Sequence, residues 1–133
     1  MKIQHVPVEW VHQTWPQVTG FLEPAFEFSK EYSLAEVRTL LITGRWTLVV
    51  AVENERIEGA ATVEFLMRPQ HRVALITAIG GRLISNPDTF EQLKMLMRSF
   101  GATALEGAAR EAIARLWSRY GFTEKYRIIG VEL

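Results

Sequence analysis

The sequence predicts an α/β domain in which a mixed, mostly antiparallel central sheet is flanked by helices, and three observations predict it. Apolar residues at helical spacing alternate along the chain with apolar runs of strand length. Three of those runs, 46–52, 57–67 and 73–79, follow one another across short polar turns, as neighbouring strands of one sheet do. The strand-like runs outside this block are set off by helical segments, which places helices on the faces of a mixed sheet.

Taken in order, residues 2–6 alternate weakly and stop at Pro7, giving a short first strand, and a helix starts near Val8. From Trp10 to Phe28 the apolar positions recur at helical spacing, but Pro16 and Pro24 each open or break a turn, so two helical pieces are expected. Ser33 stands three residues before Glu36, a capping box in which each side chain satisfies the other's free amide, and Leu34, Val37, Leu40 and Leu41 follow on one face. This helix stops at Gly44.

Residues 46–52 are rich in β-branched side chains, and Asn54 and Glu55 supply a turn into 57–67, with Gly59 at a bulge position. A turn around Pro69 leads to 73–79. Asn86 and Pro87 suit the N-cap and first position of a helix whose stripe is Phe90, Leu93, Leu96, Met97 and Phe100, ending at Gly101. A small-residue strand at 103–109, a helix at 111–120 with Ile113, Leu116 and Trp117 inward, and a last strand at 123–133 complete the order.

At 133 residues the chain is the size of one domain, 1–133, with one core. Hydrophobic residues at 48% and charged residues at 23% fit a folded globular protein, not a disordered one. Fifteen basic and fifteen acidic side chains cancel, so no overall field draws in nucleic acid or an anionic membrane. The absence of cysteine excludes a disulfide framework, a thiolate metal site and a cysteine nucleophile. The first ten residues carry no signal-peptide run, and the most apolar stretch, 46–52, is far short of the roughly 20 residues a spanning helix needs. A cytoplasmic protein is expected.

His5, His12 and His71 are widely spaced, and none has a partner at a zinc-ligand interval, so no metal site is predicted. Ser85 and Ser118 lack a nucleophile-elbow setting, which disfavours hydrolase chemistry. Glu53 and Glu64 lie on the paired strands, where simple alternation turns a carboxylate to solvent. Arg110, Arg115 and Arg119, with Lys125 and Arg127, form a basic edge that reads as an exposed mixed-charge helix face or as a contact for an acidic partner. Trp10, Trp15, Trp46 and Trp117 fill the core or anchor a protein contact.

The stretch Ala108-Ala109-Arg110-Glu111-Ala112-Ile113-Ala114-Arg115-Leu116-Trp117-Ser118-Arg119-Tyr120-Gly121-Phe122 resembles the GNAT superfamily of N-acetyltransferases, with its strand, short helix and Gly-Phe entry into a final strand. The resemblance extends to the paired N-terminal helices, the Gly59-Ala60-Ala61 segment of the hairpin and the apolar strand that enters a glycine-containing loop and helix. It implies that acetyl-CoA binds where the central strand ends, with its pyrophosphate on loop amides at a helix N-terminus. The corresponding segment is 77–89, and the implied contacts are Ile79, Gly80, Gly81 and Arg82. The family's loop spaces an Arg or Gln, two variable residues, a Gly, a variable residue and a Gly or Ala; 80–87 departs from that spacing, and Asp88 brings a negative charge into the first turn.

Family members often supply the acid that protonates the departing thiolate from a tyrosine in the last helix. Aligning on Gly121-Phe122 puts Trp117 at that place, Tyr120 one turn onward, and Arg110 where an asparagine is common. The resemblance thus implies Tyr120 as acid and Glu64 as base for an acetyl-CoA-dependent transfer to a small-molecule or peptide amine. The alternative it leaves open is a GNAT-fold protein without catalysis that works through a protein partner or as a homo-oligomer. Its compactness resembles small bacteriophage-encoded proteins, including virion-associated ones, which would put it in the host cytoplasm or the virion.

Overall fold

The computed structural model describes residues 1–133. The elements are β1 (Lys2–Val6), α1 (Val8–Ser29), α2 (Leu34–Ile42), β2 (Thr47–Glu53), β3 (Arg56–Met67), β4 (Arg72–Gly81), α3 (Pro87–Ser99), β5 (Ala104–Gly107) and α4 (Glu111–Trp117), the last followed by a 3₁₀ turn at Ser118–Tyr120. The five strands form one sheet in the order β1-β2-β3-β4-β5. Its first three pairings are antiparallel and β4–β5 is parallel, so the sheet is mixed and mostly antiparallel as predicted.

The two faces of the sheet bury separate cores, because side chains alternate along each strand. Leu48, Val50, Ala60 and Ala78 pack under Val18, Leu22 and Phe26 of α1 and Val37 and Leu41 of α2. Val49, Ala51, Val63, Ala74 and Ile76 face the other way, against Leu93 and Met97 of α3 and Trp117 of α4. The protein is therefore three layers, with α1 and α2 on one side and α3 and α4 on the other.

Local chemistry fixes the joints. The Ser33–Glu36 capping box forms in both directions, with Ser33 N–H donating to Glu36 Oε1 at 2.9 Å and Glu36 N–H to Ser33 Oγ at 3.1 Å. Asn54 and Glu55 both take positive φ, 50° and 64°, the pair of left-handed residues a two-residue hairpin turn requires. The β2–β3 ladder shifts register beside Gly59, so that Glu58 is the extra residue.

Two expectations are corrected. The pieces expected between Trp10 and Phe28 are one 22-residue helix that runs through Pro16 and Pro24. Val11, Val18, Leu22 and Phe26 lie on a single buried stripe across both prolines, and that burial outweighs the lost backbone bonds. The strand expected at 123–133 does not form: the sheet ends at β5, and these residues lie outside any element. Their β-branched composition suits a strand, but strand geometry is stable only when paired, and no strand of the chain runs alongside them.

Candidate functional site

The site is built on a defect in β4. Thr62 pairs with Ala78 but Val63 pairs with Ile76, which leaves Thr77 as an extra residue in the ladder. Such a bulge bends its strand and interrupts pairing. On the other side, β5 follows β4 only from Val73 to Ile76, where it meets Gly107. Beyond Ile76 the edge of β4 that faces β5 has no strand partner, so 77–81 offers a run of free backbone groups where β4 and β5 diverge. Thr77 stands at the fork; its hydroxyl is 2.7 Å from that of Thr62 and donates to the Thr62 carbonyl at 3.0 Å. Thr77 was legible in the sequence only as the start of the segment 77–89 and not as a bulge, because a bulge depends on the pairing of two strands.

The predicted cofactor residues occupy this fork. Ile79 packs its half-buried side chain against the α3-side core, while Gly80 and Gly81 pair with Ala60 and Gly59. Helix α1 closes one face of Gly80 so tightly that a Cβ there would sit 1.9 Å from the Phe21 carbonyl oxygen. The edge of the strand, not this face, is what remains open. Arg82 extends to Glu53 at 3.5 Å, with more than half of its side chain in solvent.

The loop into α3 is pinned by its own bonds. Arg82 N–H donates to the Glu58 carbonyl at 2.9 Å. Ser85 and Asn86 N–H donate to Thr89 Oγ1 at 3.1 and 3.2 Å, and Thr89 N–H donates to Asn86 Oδ1 at 2.9 Å. Four amides of the segment thus have partners, and Pro87 has no N–H to offer. Asp88 adds an acidic side chain in the first turn. A phosphate placed on this helix N-terminus would compete with the cap and with that charge.

Cations and aromatic faces lie farther along α3. Pro87, Phe90, Glu91 and Lys94 of α3 and Arg119 and Tyr120 of the 3₁₀ turn line an open groove of about 410 Å³. Tyr120 rests on Phe90 with ring centroids 5.3 Å apart, and Lys94 Nζ lies 4.9 Å above the same ring. Trp117, by contrast, is buried against the end of β5 and beside Phe122. It fills core at the place where the resembled family often carries a tyrosine.

Glu64 lies on the opposite face of the sheet from Tyr120. It stands in one row with Leu75 and Glu106 across β3, β4 and β5, on the α1/α2 side. Trp46 Nε1 donates to Glu64 Oε2 at 3.2 Å, and the Trp46 ring contacts Phe26 and Tyr32. Those two rings, with Glu23, Glu27, Ser33 and Leu34, line a second groove of about 240 Å³. Glu106 is a mostly buried carboxylate bonded to Arg68 and Lys125, each at 2.7 Å. Burial works to raise its pKa, but the bonds and charges of Lys125 and Arg68 outweigh it and hold the carboxyl below the usual range. No group of three or more metal-ligating side chains is assembled, and no helix is long and apolar enough to cross a membrane.

No protein-family model matches the chain, and no curated protein matches it by sequence. Likeness appears among solved structures. A probable acetyltransferase superposes with a TM-score of 0.68 at 15% identity, over 100% of this chain and 97% of that one. An aminoglycoside acetyltransferase from an uncultured soil metagenomic sample, solved in complex with sisomicin, gives 0.71 at 16% identity over 99% and 95%. An aminoglycoside N-acetyltransferase in complex with CoA gives 0.68 at 11% identity over 99% and 93%. The chain has the GNAT, or acyl-CoA N-acyltransferase, fold.

Proposed function

We propose that the protein is an acetyl-CoA-dependent N-acetyltransferase acting on a small-molecule or peptide amine. The observation that carries this reading is the fork at Thr77, where a bulge and the early end of β5 expose the edge of β4 over 77–81. A pantetheine arm is an extended chain of amides, and a free strand edge is its natural partner. The solved neighbour with CoA and the neighbour with sisomicin, an aminoglycoside, support the reading at the level of the fold.

Residues 77–89 fit the arm of the cofactor better than they fit its pyrophosphate, since their amides are largely engaged. The phosphates are met instead by side chains: Lys94 and Arg119 along the groove, and Arg82, whose exposed pair with Glu53 is weak enough to exchange. Bound acetyl-CoA supplies the thioester carbonyl. Transfer forms a C–N bond and breaks a C–S bond, so the amine must lose a proton and the thiolate must gain one. Glu64 takes the first through water from the α1/α2 side, and the Tyr120 hydroxyl gives the second from the α3 side. The acceptor, as a cation, enters by the groove that carries Glu23 and Glu27, whose Phe26 and Tyr32 rings contact Trp46, the donor to Glu64.

The second reading, a GNAT-fold protein that works through protein contacts, draws on the pinned loop and on Trp117 in the tyrosine place. Titration calorimetry with acetyl-CoA and CoA separates the two. The acetyltransferase reading expects micromolar binding weakened by Arg82→Ala and Lys94→Ala, and release of free thiol when amines are added. Because the chain has no cysteine, thiol reagents report that release without protein background. Absence of binding at millimolar ligand sinks the enzyme and leaves the contact protein.

A further inference from the structure

The chain carries four lysines, Lys2, Lys30, Lys94 and Lys125, and one of them, Lys125, brings its amine beside the fork. Lys2 lies on β1 at the opposite edge of the sheet, and Lys30 follows the C-terminus of α1. Lys94 sits on α3, where its Nζ meets Glu91 Oε1 at 2.6 Å. Lys125 Nζ instead donates to Glu106 Oε2 at 2.7 Å. Glu106 pairs with Leu75, one residue short of the Gly107–Ile76 pair at which β4 and β5 part. Successive strand residues lie about 3.3 Å apart, so the carboxylate that holds this amine is rooted one such step from the fork.

The face is also the one an acceptor needs. Glu64, Leu75 and Glu106 form one row on the α1/α2 side, the side from which the amine approaches under the acetyltransferase reading. Lys125 is free to make that approach, since its side chain is 54% exposed and its four-carbon stem is flexible. Glu106 can also release it. Its carboxylate holds two cations, and Arg68 at 2.7 Å still neutralises it when Lys125 withdraws.

We propose that Lys125 is a self-acetylation site, its Nζ taking the acetyl group from acetyl-CoA bound in the fork of the same chain. This rests on the acetyltransferase reading and names one amine that the site accepts. The Nζ–C bond forms as the C–S bond breaks. The ammonium sheds two protons in all; one passes to bulk water and the other is balanced by the proton gained at the CoA sulfur. The product has lost its charge but keeps one amide N–H that can donate to Glu106. Acetylation therefore turns an ion pair at the root of 126–133 into a neutral hydrogen bond, and the amine no longer competes with an incoming acceptor.

Incubation of the full chain with acetyl-CoA, followed by intact-mass and peptide mass spectrometry, tests this beside calorimetry on the same preparation. The expected result is one addition of about 42 Da, the mass of an acetyl group, at Lys125. Its rate per molecule should not change with protein concentration, and Lys2, Lys30 and Lys94 should react about tenfold more slowly or less, since they lack the proximity. Lys125→Arg keeps a cation for Glu106, so it should retain its circular dichroism and lose the addition. Acetyl-CoA binding with no added mass overturns the inference and leaves the acetyltransferase reading standing. Labelling spread evenly over the four lysines, or a rate that grows with protein concentration, overturns it as well. Absence of acetyl-CoA binding removes both.

Discussion

The indole of Trp117 occupies the space that a side chain on Gly107 would need: a Cβ at residue 107 would stand 2.5 Å from Trp117 Cζ3. Gly107 is the last paired residue of β5, opposite Ile76, so this contact lies where β5 stops and the fork begins. Trp117 is 5% exposed and cannot swing into solvent without opening the α3-side core. Gly107→Ala should therefore cost about 1–3 kcal/mol, the range for overpacking a core, and shift the tryptophan fluorescence along with the melting temperature. An unchanged melting curve would show that the indole has room to retreat.

Gly80→Ala should be worse than Gly107→Ala. The clashing atom is the Phe21 carbonyl oxygen, at 1.9 Å, and backbone of a long helix gives way less readily than the rim of a side chain. Relief requires α1 to lift from β4, exposing Val18 and Leu22, so the expected loss is about 3 kcal/mol or more. Chemical denaturation of the two variants side by side checks the ranking. If Gly80→Ala proves the milder, the close packing of α1 on β4 is not as described.

How much of this could be read from the sequence depended on how local each feature is. The Ser33–Glu36 box and the Asn86-Pro87 start of α3 involve residues a few positions apart, so their signal lies in one short window, and both form. The continuity of α1 through Pro16 and Pro24 could not be read that way, because it rests on burial against β2, β3 and β4. The fork at Thr77 comes from register between strands, and the cations on Glu106 come from 38 and 19 positions away. The strand composition of 123–133 was visible, but a partner edge was not.

Tyr120 and Glu64 were both legible as residue types, and the structure separates them by the thickness of the sheet. Tyr120→Phe keeps the ring on Phe90 and removes only the hydroxyl, so the fold should be untouched. On the acetyltransferase reading kcat should fall by about 10²-fold or more with KM for acetyl-CoA nearly constant, the signature of a group that acts in the transition state. Glu64→Gln still accepts from Trp46 but cannot take a proton, so it should lower kcat as well. Steady-state kinetics in which either variant matches the wild type would remove that residue from the chemistry.

Acidification should destabilise the protein in two separable steps. His5 sits edge-on to Phe100, with ring centroids 5.1 Å apart, and burial lowers its pKa against a smaller opposing pull from Glu9. The unfolded imidazole takes its proton near pH 6.5, whereas the folded one resists it. The His5 contribution is thus complete above about pH 6.5 and is lost as pH falls from there to the depressed folded value. The Glu106 contribution follows the same sign lower down: it is present above the ordinary carboxylate range near pH 4.3 and is lost as pH falls through the lowered folded pKa. Melting temperatures measured across this range should show both declines. His5→Gln should abolish the first and spare the second, and Glu106→Gln should shrink the second and spare the first. If His5→Gln leaves the upper decline intact, another group is taking up the proton there.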